Sequence, residues 1–594
     1  MNTPLPRTRT LTIIAQDPGV RDEEGRILTT QVEIPAEILS PGPRGHRVHI
    51  VDYDTTTNTL YYPQKYDETE EDSYKDPFED FVKDASPEQI LAEPGFHAQN
   101  VYAIVMRTLA RFESALGRRV SWGSGAHQLY VAPHAFADAN AFYSKQDQAL
   151  AFGYFRVPGD TSPIFTCLSH DVVAHETTHA ILDGLRERFT TPSSAEQAGF
   201  HEGFADLVAI LSVFSLKDVV RTILLGTDTK GKVRMPNEAF RIDTSCLTEE
   251  KFRESALFGL AEEMGTKLSG VRGSALRRSA SLQPLPTGQS YLKRDEYQEP
   301  HKCGELLVAI MLNVFLQVWL TRLEKYKEGR KDVDVSLVVD EGAESANHLL
   351  TMAIRALDYL PPTDMRFTDY LSALLTSDRE MVPDDNKYKY REKLLDAFGR
   401  YGINPSRKTD KGYWEMEKGT FSYDRTHFDS LMNDPNEIFR FMWDNRFALG
   451  LEPRPGEDFG GKVYTEVQSV RPCIRVAPDG FTVRETVAEY VQMSILPYKE
   501  LEDMGLTEDI DITDLIPDET EINLFGGGAL LFDEYGRLKY HIRNRIFSSQ
   551  NQPKRIEYLW RSGYISNDRF TQNIFSRMHL NRVLSSRRDF TEGF

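Results

Sequence analysis

Residues 171–183 have the sequence DVVAHETTHAILD, and this stretch decides the interpretation of the chain. His175 and His179 are four residues apart, a spacing that places two side chains on one face of an α-helix. Apolar residues flank them and no proline interrupts the stretch, so the sequence predicts a helix here. The two imidazoles can therefore bind one metal ion. Glu176 lies beside the first of them, where it would take a proton from a metal-bound water without binding the ion itself.

A catalytic zinc ion usually has three protein ligands and a water molecule in the fourth position. Glu202 is the candidate third ligand, because it lies on the next helical pattern with 22 residues between it and His179. Asp206, one turn beyond Glu202, is expected to accept a hydrogen bond from a liganding histidine, and Asp183 is a second candidate for this role. His201 adjoins Glu202, and we expect it at the surface or behind the ligands rather than on the metal.

At these residues the chain resembles the thermolysin-like zinc metallopeptidases, the gluzincin group, in which two histidines and a glutamate hold the zinc ion. The resemblance covers roughly residues 46–400. It implies an α+β, zincin-like fold with a β-rich N-terminal lobe, a helical C-terminal lobe and the active-site cleft between them. We expect an N-terminal extension at 1–45, the β-rich lobe at 46–165, the helical lobe at 166–403 and a β-containing C-terminal extension of unknown role at 404–594.

The same resemblance assigns residues that would contact a substrate. Asn140 and Ala141 match the edge strand that binds the substrate backbone. Arg277 matches the arginine that holds a substrate carbonyl, with Arg278 as the alternative. His301 matches the histidine that donates to the developing oxyanion.

A carboxylate usually orients that last histidine in the family. Glu296 stands at the matching offset before His301, and Asp295 and Glu299 are its acidic neighbours. We therefore expect Glu296 to hold the His301 ring.

The chain departs from the family pattern at two positions. Phe189 lies near the place of the oxyanion tyrosine and has no hydroxyl group. Val213 stands where the family has a calcium-bridging glutamate, although Asp171 matches a calcium-binding aspartate. Because hard cations need a cage of oxygen ligands, the sequence argues against the usual double calcium site.

Composition limits the partners that this chain can have. The formal net charge of -20 argues against nucleic acid or an anionic membrane, so the expected partner is a peptide or protein substrate. The four cysteines are scattered and indicate neither a disulfide framework nor a thiolate metal site. The apolar segment 306–320 is interrupted by Asn313 and Gln317 and predicts a buried helix, not a membrane span.

The N-terminus lacks the apolar core of a signal peptide, so the cytoplasm is the expected location and export by a non-Sec route is the alternative. The sequence leaves the oligomeric state open.

The expected function is that of a zinc-dependent metalloendopeptidase, in which a zinc-bound water activated by Glu176 attacks the peptide bond. Two alternatives stay open: an exopeptidase on the same site, and a catalytically impaired relative that acts as a binding module. The intact Glu176 argues against the second alternative.

Overall fold

The structure, a computed structural model, describes residues 6–565 apart from 23–24, 67–73, 157–162, 192, 226–239, 254–278, 280, 287, 406–408, 453–462, 478, 509 and 511–515. Helices account for 45% and strands for 22%, so the protein is of mixed α and β class, as predicted. Arg277 and Arg278, the predicted substrate-carbonyl residues, lie outside the described residues.

Helices dominate the middle of the chain. In chain order they are α1 Glu79–Asp84, α2 Pro87–Leu91, α3 Pro94–Leu116, α4 His170–Leu185, α5 Ala195–Phe214, α6 Lys217–Leu225, α7 Glu249–Phe252, α8 Pro300–Lys327, α9 Val335–Arg355, α10 Phe367–Met381, α11 Tyr390–Arg400, α12 Phe428–Leu431, α13 Pro435–Asp444, α14 Arg446–Leu449, α15 Tyr498–Asp503 and α16 Gln552–Arg561.

Strands are concentrated before α4 and after α14. They are β1 Thr8–Ile14, β2 Thr29–Pro35, β3 Val48–Ile50, β4 Tyr53–Asp54, β5 Thr59–Leu60, β6 Leu129–Phe136, β7 Ala141–Ser144, β8 Ala149–Phe155, β9 Ile164–Phe165, β10 Arg241–Asp243, β11 Asp332–Asp334, β12 Thr409–Asp410, β13 Tyr413–Trp414, β14 Tyr464–Val476, β15 Thr482–Pro497, β16 Glu521–Phe532 and β17 Leu538–Asn544.

Two sheets contain most of these strands. The first has the order β3-β6-β8-β7, with β9 also paired to β8. Strands β3, β6 and β8 are parallel, whereas β7 and β9 are antiparallel to β8. The second sheet has the order β14-β15-β16-β17 and is antiparallel throughout. A tight turn in which Gly536 N donates to Asp533 O joins its last two strands.

The main hydrophobic core draws on all parts of the chain. It includes Leu11 and Val32 of the β1–β2 hairpin, helices α3 to α5, and Val487 and Leu531 of the second sheet. This packing crosses the boundaries predicted at 45/46 and 403/404, although two smaller hydrophobic clusters consist of residues after 403 alone. The division into four segments stays a prediction.

Helix α8 runs through the centre of this core. Among the described helices it is long and apolar enough to cross a membrane, but 83% of its apolar window is buried inside the protein. Asn313, which interrupts the apolar run, donates to Ala309 O at 2.7 Å and to Tyr401 Oη at 2.9 Å. A buried amide with partners of this kind is stable in a protein core. The predicted buried helix is confirmed.

Glycines allow α8 and α5 to approach closely beside the candidate ligands. A Cβ at Gly203 would lie 2.6 Å from Gly304 O, and a Cβ at Gly199 would lie 2.6 Å from Cys303 Cβ. Contacts this short are excluded for any larger residue. The two helices can therefore place Glu202, next to Gly203, and His301, three residues before Gly304, on facing surfaces.

Candidate metal centre

Three predicted ligands meet between α4 and α5. Nε2 of His175 and Nε2 of His179 are 2.9 Å apart. The Glu202 carboxylate oxygens lie 3.8 Å from the first of these nitrogens and 3.7 Å from the second. All three residues are buried, and one ligand atom from each lies within 4.8 Å of the others. This group could hold a metal ion.

Helix α4 supports this arrangement although it is buried on almost every side. The two buried threonines of this helix form hydrogen bonds within it: Thr177 Oγ1 donates to Val173 O at 2.6 Å, and Thr178 Oγ1 donates to Ala174 O at 2.7 Å. Glu176 is fully buried on the same helix, next to the first candidate ligand. A carboxylate withdrawn from water in this way is typical of a functional site rather than of a solvated helix face.

Asp206 lies where the sequence places it. Its Oδ1 atom is 2.7 Å from Nδ1 of His175, while Nε2 of the same ring faces Glu202. A carboxylate in this position fixes the tautomer and the orientation of a liganding imidazole.

His201 is a closer neighbour of the ligands than the sequence suggests. Its ring stacks on His179 with centroids 4.7 Å apart, and the two Nδ1 atoms are separated by 2.8 Å. Burial lowers the pKa of His201 to about 3, so the ring is neutral at pH 7. Because adjacent residues on a helix point about 100° apart, the sequence could not reveal this contact without the packing of α4 on α5.

Asp183, the second candidate for orienting a histidine, has other partners in the structure. Its carboxylate accepts hydrogen bonds from Tyr143 Oη and from Lys145 Nζ, both at 2.8 Å. Both partners belong to β7 and the turn that follows it, so Asp183 joins α4 to the first sheet instead.

His301 lies at the edge of the ligand group, with Nε2 4.0 Å from Glu202 Oε2. Glu296, which was expected to orient this ring, is half exposed and forms an ion pair with Arg294 at 3.8 Å. Glu299 takes that place, with Oε1 2.6 Å from Nδ1 of His301. Burial alone would raise the pKa of Glu299, but the hydrogen bond and the charge of His301 lower that pKa to about 2.

The predicted substrate-binding segment is at one end of the first sheet. Ala141 begins β7, which pairs with β8 and ends the strand order on that side. Asn140 precedes it and shapes its start, since its carbonyl accepts from Gly153 N at 2.9 Å and its Oδ1 accepts from Ala141 N at 2.9 Å.

The departures from the family pattern occupy buried positions. Phe189 lies in a 3-10 helix and packs edge-on against Phe200, with ring centroids 5.9 Å apart. Val213 is buried in α5 and has no side-chain oxygen to offer a cation. The argument against a double calcium site stays a prediction.

No protein-family model matches the chain, and a search of curated proteins finds no match. The resemblance to the gluzincins therefore depends on the residues themselves. Two imidazoles and one carboxylate, buried together beside a further buried carboxylate, form a donor set that suits a borderline metal ion such as zinc.

Proposed function

We propose that this protein is a zinc-dependent metalloendopeptidase of the gluzincin type, with a zincin-like arrangement of a β-rich and a helical lobe around the site. One observation carries the proposal: His175, His179 and Glu202 bring three buried ligand atoms within 4.8 Å of one another. Glu176 is buried on the same helix as the two histidines. Three protein donors leave one position for water, which is the composition of a hydrolytic rather than a purely structural zinc site.

Zinc held by these residues would act as a Lewis acid that polarises the scissile carbonyl and lowers the pKa of a bound water. Glu176 would accept the proton of the attacking water and return it to the leaving amine. His301, held by Glu299, would donate a hydrogen bond to the oxygen on which negative charge develops. Asp206 and His201 would keep the two liganding rings in place.

Substrate would bind beside β7. A peptide added along this strand would be held through main-chain hydrogen bonds, which give affinity with little sequence selection. Asn140 and Ala141 begin that strand, and Arg277 is proposed to hold a substrate carbonyl. Such a site suits cleavage within a chain and explains why we favour an endopeptidase over an exopeptidase.

A metal-binding but inactive protein is the second candidate. The observation that favours it is Phe189, which lies buried and supplies no hydroxyl group. In that case, His301 would not compensate for the missing oxyanion donor, and the site would bind metal and peptide without cleaving it.

Cleavage of casein tests the proposal, with and without a chelator and with zinc added back. Glu176→Gln is expected to lower the rate by about 10²–10⁴-fold, the usual contribution of a positioned general base, while bound zinc is retained. Glu187→Gln is the matched control, because Glu187 is exposed just beyond the same helix. Equal cleavage by Glu176→Gln and the wild type would rule out the proposed base, and zinc binding without cleavage by the wild type would favour the inactive alternative.

A further inference from the structure

A second group of metal-ligating side chains lies away from the candidate metal centre. His97 on α3, His134 on β6 and Cys167 in the 3-10 helix Thr166–Leu168 are all buried. One ligand atom from each lies within 4.8 Å of the others. Nδ1 of His97 and Nε2 of His134 are 2.8 Å apart, close to the 2.9 Å that separates the two imidazole nitrogens of the candidate metal centre.

The sequence contains no spacing that would reveal this group. Its members come from three separate elements. The two histidines are 37 positions apart, and the cysteine belongs to no CxxC pair. Cysteine spacing alone indicates no thiolate metal site, but folding brings together residues that spacing cannot connect.

Asp52 holds His134 in the orientation that a metal ligand needs. Its Oδ2 atom lies 2.8 Å from Nδ1 of His134, and its Oδ1 atom accepts from the His134 backbone N–H at 3.1 Å. With Nδ1–H directed to the carboxylate, Nε2 presents its lone pair to His97 and the rest of the group. Asp206 makes the same contact with His175 in the candidate metal centre, at 2.7 Å. A carboxylate behind an imidazole is a recurrent partner of liganding histidines.

The simpler explanation is a hydrogen bond between two imidazoles beside a packed thiol. It accounts for the contact between His97 and His134, but it gives no reason for the thiol of Cys167 to converge with both rings. A divalent ion accounts for all four side chains, because the thiolate and the carboxylate together balance its two charges.

We propose that His97, His134 and Cys167 form a second metal site, for a transition-metal ion of the zinc or copper kind. Two imidazole nitrogens and one thiolate sulfur select such ions over calcium or magnesium, which require oxygen ligands. Binding would exchange the thiol proton of Cys167 for a sulfur–metal bond, and the proton would leave to solvent. No change of oxidation state is involved.

The role of this site would be structural. The three side chains are at most 2% exposed, and the Phe165 ring covers both imidazoles, with centroids 4.8 Å from His97 and 5.0 Å from His134. An ion there would join α3, the first sheet and the residues just before α4, because Cys167 precedes the first residue of α4 by three positions. The second ion would thus hold the start of the helix that carries His175 and His179.

The test uses the full chain with the candidate metal centre disabled by His175→Ala and His179→Ala. Cd²⁺ is the probe, because a cadmium–thiolate bond gives an ultraviolet charge-transfer band that nitrogen and oxygen ligands do not give. We expect this double variant to bind one Cd²⁺ with that band. Absence of the band in the folded protein would overturn the proposal, whatever the outcome for peptide cleavage.

Cys167→Ser added to the double variant is expected to abolish the band, and Cys473→Ser, at another buried thiol, is expected to leave it unchanged. Loss of the band with Cys473→Ser but not with Cys167→Ser would contradict the assignment. Where Cys167→Ser does not fold, His97→Phe and Asp52→Asn provide further variants. Each is expected to lose Cd²⁺ binding or to bind Cd²⁺ at least 10-fold more weakly.

Metal analysis of the wild type is expected to find two ions per chain, with zinc or copper in the second site. A single ion that remains bound in Cys167→Ser and is lost in His175→Ala would contradict the second site but not the first.

Discussion

Asp206 Oδ1 lies 2.7 Å from Nδ1 of His175, whereas Asp183, at an equally suitable helical spacing, contacts Tyr143 and Lys145. The two aspartates therefore differ in what they support. Asp206→Asn is expected to weaken zinc affinity by about 10- to 100-fold, because the ring of His175 loses its fixed orientation. Competition with a chromophoric chelator measures this affinity.

Asp183→Asn is the matched control for that prediction. It is expected to leave zinc affinity within about 2-fold of the wild type and to lower stability instead, because the bonds that join α4 to the first sheet weaken. Equal effects of the two substitutions on zinc affinity would contradict the roles assigned to them.

His301 is expected to act on the reaction rather than on metal binding. His301→Gln should lower kcat by about 10²–10³-fold with zinc content and KM little changed, as for removal of one oxyanion donor. Glu299→Gln should give a smaller loss in kcat, and Glu296→Gln should give none, because Glu299 is the residue in contact with the His301 ring. Steady-state kinetics on a defined peptide separate kcat from KM, and an unchanged kcat in His301→Gln would refute this role.

Acid should destabilise the protein through His170. Burial, with the neighbouring Arg107, lowers the pKa of His170 from 6.5 to about 3. The unfolded state therefore binds one more proton than the folded state between these values, and stability is lost as the pH falls from 6.5 towards 3. The loss is about 1.4 kcal/mol per pH unit for one histidine. As the pH falls, the free energy of unfolding measured with urea should decline less steeply in His170→Gln than in the exposed control His46→Gln. Identical slopes against pH in the two variants would contradict this role of His170.

The second sheet is joined to the helical region by buried charges. Arg475 contacts the carboxylates of Asp358 and Glu485, and all three residues are buried. Arg475→Met would leave two buried carboxylates short of a partner, so we expect stability to fall by about 3–5 kcal/mol. Arg484→Met, at an exposed position of β15, is the control and should change stability by less than about 0.5 kcal/mol. Urea unfolding measures both, and a small effect of Arg475→Met would show that the second sheet is held by other contacts.

The sequence was most informative where function depends on local geometry. His175 and His179 come together because they are four positions apart on one helix, and the long apolar run of α8 predicts its own burial. Glu202 required one further assumption, that the next helix packs back on the first.

Predicting contacts from the number of residues between two positions failed where a helix boundary or a contact distant in sequence decides the geometry. Pro300 begins α8, so Glu299 is the capping residue with extended backbone, and its side chain rather than that of Glu296 reaches His301. The group formed by His97, His134 and Cys167 depends on the packing of three elements, which no spacing in the sequence records.

The position of bound zinc in a crystal of the wild-type protein tests the central claim most directly. Anomalous difference maps, calculated from data on both sides of the zinc absorption edge, locate the ion independently of activity. We predict a zinc peak within bonding distance of Nε2 of His175, Nε2 of His179 and the carboxylate of Glu202. A zinc-loaded crystal with no peak among these three side chains would contradict the account.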